Sequence, residues 1–224
     1  MKKRTVFATL LVLTLIALQG LKAEARNPLA TNDQLYAEYL ATYMIATPEV
    51  EAAKATLSTN WQALLGTVSA EQLAYLQEAV DESAFASALS VQGSDPNYPK
   101  AISTLAAPHS WHGMDVPGSR SVFDNPDTIY RSIKIDPTAS YVIRGKRAQV
   151  PPVDENFSLW DASNNTISNM RGKDLVTKAD GSFTITVDSN PANGRKNHIQ
   201  TTSASKTIFV RNTVNDWQLR GLPN

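Results

Sequence analysis

Thr128-Ile129-Tyr130-Arg131-Ser132-Ile133-Lys134-Ile135 is the stretch that decides the fold. Ile129, Ile133 and Ile135 alternate with Tyr130, Ser132 and Lys134. A period of two puts the isoleucines on one face of a β-strand and the polar side chains on the other. The same pattern predicts strands at 140–144, 147–150, 156–161, 174–177, 182–187, 207–212 and near Trp217. Asp180-Gly181 supplies a tight turn between two of them. Short strands with frequent turns predict an antiparallel β-sandwich or jelly-roll-like domain over 127–224.

Upstream the apolar period changes to about one helical turn. Asn32 is placed to cap a helix with Leu35, Tyr39, Tyr43 and Ala46 on its apolar face. Thr47-Pro48-Glu49 opens a second helix, with proline at the first helical position. Ser69-Ala70-Glu71-Gln72 reads as a capping box opening a third helix through Leu73, Leu76 and Val80 to about Leu89. Residues 26–92 are thus a helical layer. Five prolines fall between 93 and 126, which reads as a connector that breaks regular structure. The expected class is α+β, a helical layer packed on the β domain.

The first 25 residues read as a secretory signal. Lys2, Lys3 and Arg4 precede an apolar run, and Ala23-Glu24-Ala25 offers a cleavage site. The run of about 14 residues is short of the roughly 20 that span a bilayer. The expected location is periplasmic or secreted, with no membrane span after cleavage. The chain has no cysteine. That excludes thiol nucleophiles, thiolate metal sites and disulfides, so stability rests on packing.

The 224 residues hold 21 basic and 21 acidic side chains. Without Lys2, Lys3, Arg4, Lys22 and Glu24, 17 basic and 20 acidic remain. No dense basic patch exists, so nucleic acid is not an expected partner. Acidic residues concentrate in the helical layer and read as a solvated face.

The densest polar cluster is Asp124, Asn125, Asp127, Tyr130 and Arg131, where a turn enters the deciding strand. Pro126 restricts the turn and pushes Asn125 into extended backbone. Two readings stand open: a ligand-binding rim, or an Asx-type turn whose side chains cap backbone N–H groups. His109, His112 and Asp115 are the candidate metal ligands, at a spacing unlike that of zinc hydrolases. Arg144, Lys146 and Arg147 read as solvent-facing hairpin charges, and Trp160 and Trp217 as core. No cofactor motif occurs: phosphate loop, dinucleotide fingerprint and nucleophile elbow are all missing from the sequence.

Asp95-Pro96-Asn97-Tyr98-Pro99, then Asp124-Asn125-Pro126-Asp127-Thr128-Ile129-Tyr130, then Tyr141-Val142-Ile143-Arg144-Gly145, form a recognisable order. Asp180-Gly181-Ser182-Phe183-Thr184-Ile185 and the strand near 207–211 follow. Over 75–211 the chain resembles the bacterial family called domain of unknown function 1214, related to domain of unknown function 1254. The resemblance implies a β-rich, jelly-roll-like domain and no settled activity. The family pattern continues into a tryptophan-rich stretch and a closing strand after the segment matching 207–217, whereas Asn224 is the last residue here. Three function classes remain. One is an exported protein that binds or processes a small molecule. The others are a non-catalytic envelope module with a protein partner, and a metal-dependent hydrolase.

Overall fold

The computed structural model describes residues 27–120 and 124–224; the signal-like segment lies outside the described residues. The chain forms an α+β fold in which three helices precede a β-sandwich. The helices are α1 (Asn32–Ile45), α2 (Pro48–Leu65) and α3 (Ala70–Gln92). No described helix is long and apolar enough to cross a membrane. Their starts follow local chemistry. Ser69 Oγ accepts from Gln72 N at 3.2 Å while Ser69 N donates to Gln72 Oε1 at 2.8 Å, a reciprocal capping box. Pro48 occupies the first helical position of α2. The cap of α1 is Thr31, whose Oγ1 accepts from Gln34 N, one residue before the expected Asn32.

The buried face of α1 differs from the sequence expectation. Gln34, Ala37, Glu38 and Ala41 are buried, whereas Tyr39 is exposed and Tyr43 is 72% exposed. Small alanines let α1 approach α3 and the sheet closely, and the tyrosines turn their hydroxyls to water. Ala37 and Ala41 share a core with Phe85, Ala88, Leu89, Ile102 and Val116. Helix α2 buries no residue.

The strands are β1 (Ile102–Thr104), β2 (His109–Trp111), β3 (Met114–Val116), β4 (Thr128–Lys134), β5 (Tyr141–Lys146), β6 (Asp154–Trp160), β7 (Thr166–Arg171), β8 (Ser182–Asp188), β9 (His198–Gln200) and β10 (Thr207–Thr213). A five-stranded antiparallel sheet runs β1-β4-β10-β6-β7. A three-stranded sheet runs β5-β8-β9, and its β8–β9 pair is parallel. Between the sheets Ile133, Phe157, Leu159, Ile185, Val187 and Ile208 form the main core. Ile102 pairs with Ser132, so it lies on the opposite face, toward the helices. The molecule is therefore layered: helices, five strands, three strands.

Several strand assignments need correction. The connector carries β1, β2 and β3 between its prolines. Segment 147–150 is irregular, 174–177 begins at the end of a 3₁₀ turn, Gly172–Asp174, and is otherwise irregular, and the region after Trp217 forms a 3₁₀ turn, Leu219–Gly221. The expected solvent-facing Arg147 instead donates to the buried Glu155 carboxylate, Nη2 to Oε2 at 2.6 Å. Trp217 is 49% exposed, not core.

Gly221 is fixed by close approach. A Cβ built there would stand 1.9 Å from the Asp216 carbonyl oxygen. Gly221→Ala should cost about 1–3 kcal/mol through overpacking. Urea unfolding measures it, and an unchanged midpoint would show that the 3₁₀ turn yields without cost.

Candidate functional site

A cavity of about 470 Å³ opens where α1, the β2–β3 hairpin and the start of β4 meet. Its wall includes Leu105, Trp111, Ile129, Tyr130 and Trp217, and among its polar groups are Glu38, His109 and Asp124. An apolar wall with a few fixed polar groups is the usual make-up of a small-ligand site.

Glu38 stands on this wall and is 1% exposed. Gln34 Nε2 donates to Glu38 Oε1 at 2.7 Å, and Trp111 Nε1 donates to Glu38 Oε2 at 2.9 Å. Gln34 is itself pinned to the edge strand β1. Its Oε1 accepts from Ser103 N at 2.7 Å and its Nε2 donates to Ser103 O at 3.1 Å. One turn of helix thus ties α1 to the sheet and aims the carboxylate.

His109 completes the pair. Its Nε2 stands 3.4 Å from Glu38 Oε1, an ion-pair distance rather than a well-directed hydrogen bond. Its Nδ1 lies 2.8 Å from the Ala107 carbonyl oxygen. A carbonyl only accepts, so Nδ1 carries a proton; the carboxylate favours a second proton on Nε2. Burial pulls the imidazolium pKa down. The Glu38 carboxylate and the Ala107 carbonyl outweigh burial and hold it above the ordinary histidine value. The ring meets Trp111 edge-on at 4.3 Å. Leu105, also on the wall, has φ 61°, a left-handed conformation rare for a branched side chain. Strain of this kind persists where surrounding structure over-determines the backbone.

The residues expected at the site divide. Asp124, Pro126 and Tyr130 stand on this cavity wall. Asn125 and Asp127 do not line it. Asn125 Oδ1 accepts from Asp127 N at 2.9 Å, the Asx-turn geometry, and Asn125 N donates to Tyr130 Oη at 2.9 Å. Asp127 is exposed, with Trp217 Nε1 at 3.5 Å from its Oδ1. Arg131 lies on the other face of the sheet, because adjacent strand residues alternate. It donates from Nη1 to Asn212 Oδ1 at 3.0 Å, inside the sandwich. The convergence of Tyr130 and Arg131 expected from the sequence therefore does not occur.

The candidate metal ligands also separate. His109 and Asp115 take opposite faces of the hairpin, since His109 pairs with Val116 and Ser110 with Asp115. Asp115 Oδ1 accepts from Ser110 Oγ at 2.5 Å. His112 sits at the exposed hairpin tip with φ 52°, next to Gly113 at φ 77°. Among the described residues, no group of three histidine or carboxylate side chains is placed to hold a metal ion.

Glu38, Gln34 and Trp111 escaped the sequence reading. The spacing of Gln34, Ala37, Glu38 and Ala41 on one helical face was the available signal.

No protein-family model matches the chain, and no curated protein matches it. Similar solved structures include these two. One is an uncharacterized protein from Burkholderia cenocepacia, at TM-score 0.48 and 16% identity over 86% of this chain and 46% of that one. The other is a protein from Vibrio parahaemolyticus, at TM-score 0.39 and 15% identity over 75% of this chain and 50% of that one. This chain spans about half the length of each.

Proposed function

We propose that this is an exported protein of the kind resembling domain of unknown function 1214, and that it binds a small, largely apolar ligand in the Glu38–His109 cavity. Export rests on the signal-like residues 1–25. The observation that carries the ligand reading is the buried Glu38 carboxylate, paired with the half-buried His109, on the wall of an apolar cavity. A carboxylate buried in this way costs desolvation, so it weakly supports stability alone and more readily fits a ligand-facing role.

The test is a thermal-shift screen of ring-bearing alcohols, amines and acids against the parent and against Ala106→Phe, which fills the cavity. Compounds that raise the parent melting temperature should lose that effect in the variant. Equal responses in both proteins would place binding elsewhere.

The pair also gives a pH signature. A raised folded pKa means His109 stabilises the fold fully below the ordinary histidine value of 6.5, and that contribution disappears as pH rises through the folded value. Urea unfolding should show stability falling as pH rises above that point. His109→Gln should lack the step; a variant that keeps it would assign the titration to another group.

A second reading, an envelope interaction module, is favoured by one observation. Tyr36, Tyr39 and Tyr43 are all exposed on α1. Replacing the three with serine should leave every ligand response intact. Loss of an envelope partner alone in that variant would favour this second reading.

A further inference from the structure

A second, smaller cavity of about 190 Å³ lies inside the sandwich, on the Arg131 side of the five-stranded sheet. Its apolar wall includes Ile133, Ile143, Phe157, Phe183 and Val210. Asp33, Arg144 and Glu155 line it as well, with Pro223 and Asn224. Asn224 N donates to Lys146 O at 3.0 Å, which lays segment 222–224 along β5.

Arg131 is the unusual group here. A guanidinium presents five N–H donors. Only two bonds occupy them among the described residues: Nη1 to Asn212 Oδ1 at 3.0 Å, and Nη2 to the Pro223 carbonyl at 2.9 Å. Both acceptors are neutral. The nearby buried carboxylate, Glu155, is committed elsewhere. Its Oε1 accepts from Asn212 Nδ2 at 3.0 Å, and its Oε2 accepts from Arg147 Nη2 at 2.6 Å. Burial lowers the Arg131 guanidinium to about 10, against the favourable charge of Glu155, so it remains a cation at neutral pH. A half-buried cation without a contacting anion keeps donors to spare, and these fit the planar fork of a carboxylate.

We infer that this cavity is a binding site for a small apolar carboxylate, its anionic head on Arg131 and its body among Ile143, Phe157 and Phe183. The size agrees: an engineered cavity of about 150 Å³ holds benzene, so this one has room for a ring bearing a carboxylate. The site is separate from the Glu38–His109 cavity and does not depend on the reading given to it.

The experiment uses the full chain and three probes: benzoate, butyrate and the neutral isostere benzamide, each at matched ionic strength with chloride as control. Benzoate or butyrate should raise the melting temperature of the parent in a saturable way, and benzamide and chloride should not. Arg131→Met should abolish the carboxylate response. Ile143→Phe keeps the cation, fills the cavity and should abolish it too. Failure of either variant to fold leaves the comparison of benzoate with benzamide on the parent, which decides by itself. The inference is overturned if neither carboxylate shifts the parent, if benzamide shifts it as much as benzoate, or if both folded variants respond like the parent.

Discussion

Glu38→Ala is expected to destabilise the protein by about 3 kcal/mol, because losing the buried carboxylate leaves several donors without their acceptor. Three groups lose their acceptor at once: Gln34 Nε2, Trp111 Nε1 and the His109 imidazolium. Each donor buried without a partner carries a penalty on the order of 1–3 kcal/mol. Part of the loss will be recovered, because Gln34 Nε2 keeps its bond to Ser103 O. Glu38→Gln separates charge from shape, since it preserves an acceptor for one donor and removes the anion facing His109. It should cost less than the alanine variant while still removing the pH step. Urea unfolding of the two variants measures both effects. A loss under about 1 kcal/mol for Glu38→Ala would mean that the cluster is hydrated and not a fixed element of the fold.

Phe85→Ala should cost a similar amount, about 3–5 kcal/mol, because a large buried ring leaves a cavity the surroundings only partly fill. Phe85 is fully buried among Ala37, Ala41, Leu89 and Ile102 and fastens α3 and α1 to strand β1. One unfolding transition should persist, moved to lower urea and seen alike by helical and sheet signals. Two separated transitions would show that the helical layer melts independently of the sandwich. The cavity lined by α1 would then be a local structure with its own stability.

The legible parts of the fold were those set by local chemistry. The capping box at Ser69, the proline start at Pro48 and the alternation of Ile129, Ile133 and Ile135 each reflect interactions within a few residues. The phase of α1 was not legible. Its tyrosine rings offer more apolar area than its alanines, yet close helix packing selects the small side chains, and phenol rings tolerate water. The hairpin of β2 and β3 was hidden by flanking prolines; its tip, His112-Gly113, carries two positive φ angles of the kind a tight hairpin needs. The short parallel strand β9 depends on pairing with Thr186 and Val187, a tertiary choice.

The candidate site was legible in position and not in composition. The turn at 124–131 does reach a cavity, through Asp124 and Tyr130. Its Asn125 follows the capping alternative. Arg131 belongs to another cavity because strand alternation separates it from Tyr130. Glu38 read as one of several acids on a solvated helix face. Only the long-range arrival of His109 and Trp111, more than 70 residues later in sequence, gives it a chemical role.

The most direct test is nuclear magnetic resonance of the protein carrying nitrogen-15 in its histidine rings, recorded while a compound from the thermal-shift screen is titrated in. The His109 ring nitrogens should shift in proportion to occupancy, and those of the exposed His112 should stay in place. A compound that stabilises the protein yet leaves the His109 resonances unmoved would contradict the assignment of this cavity as the ligand site.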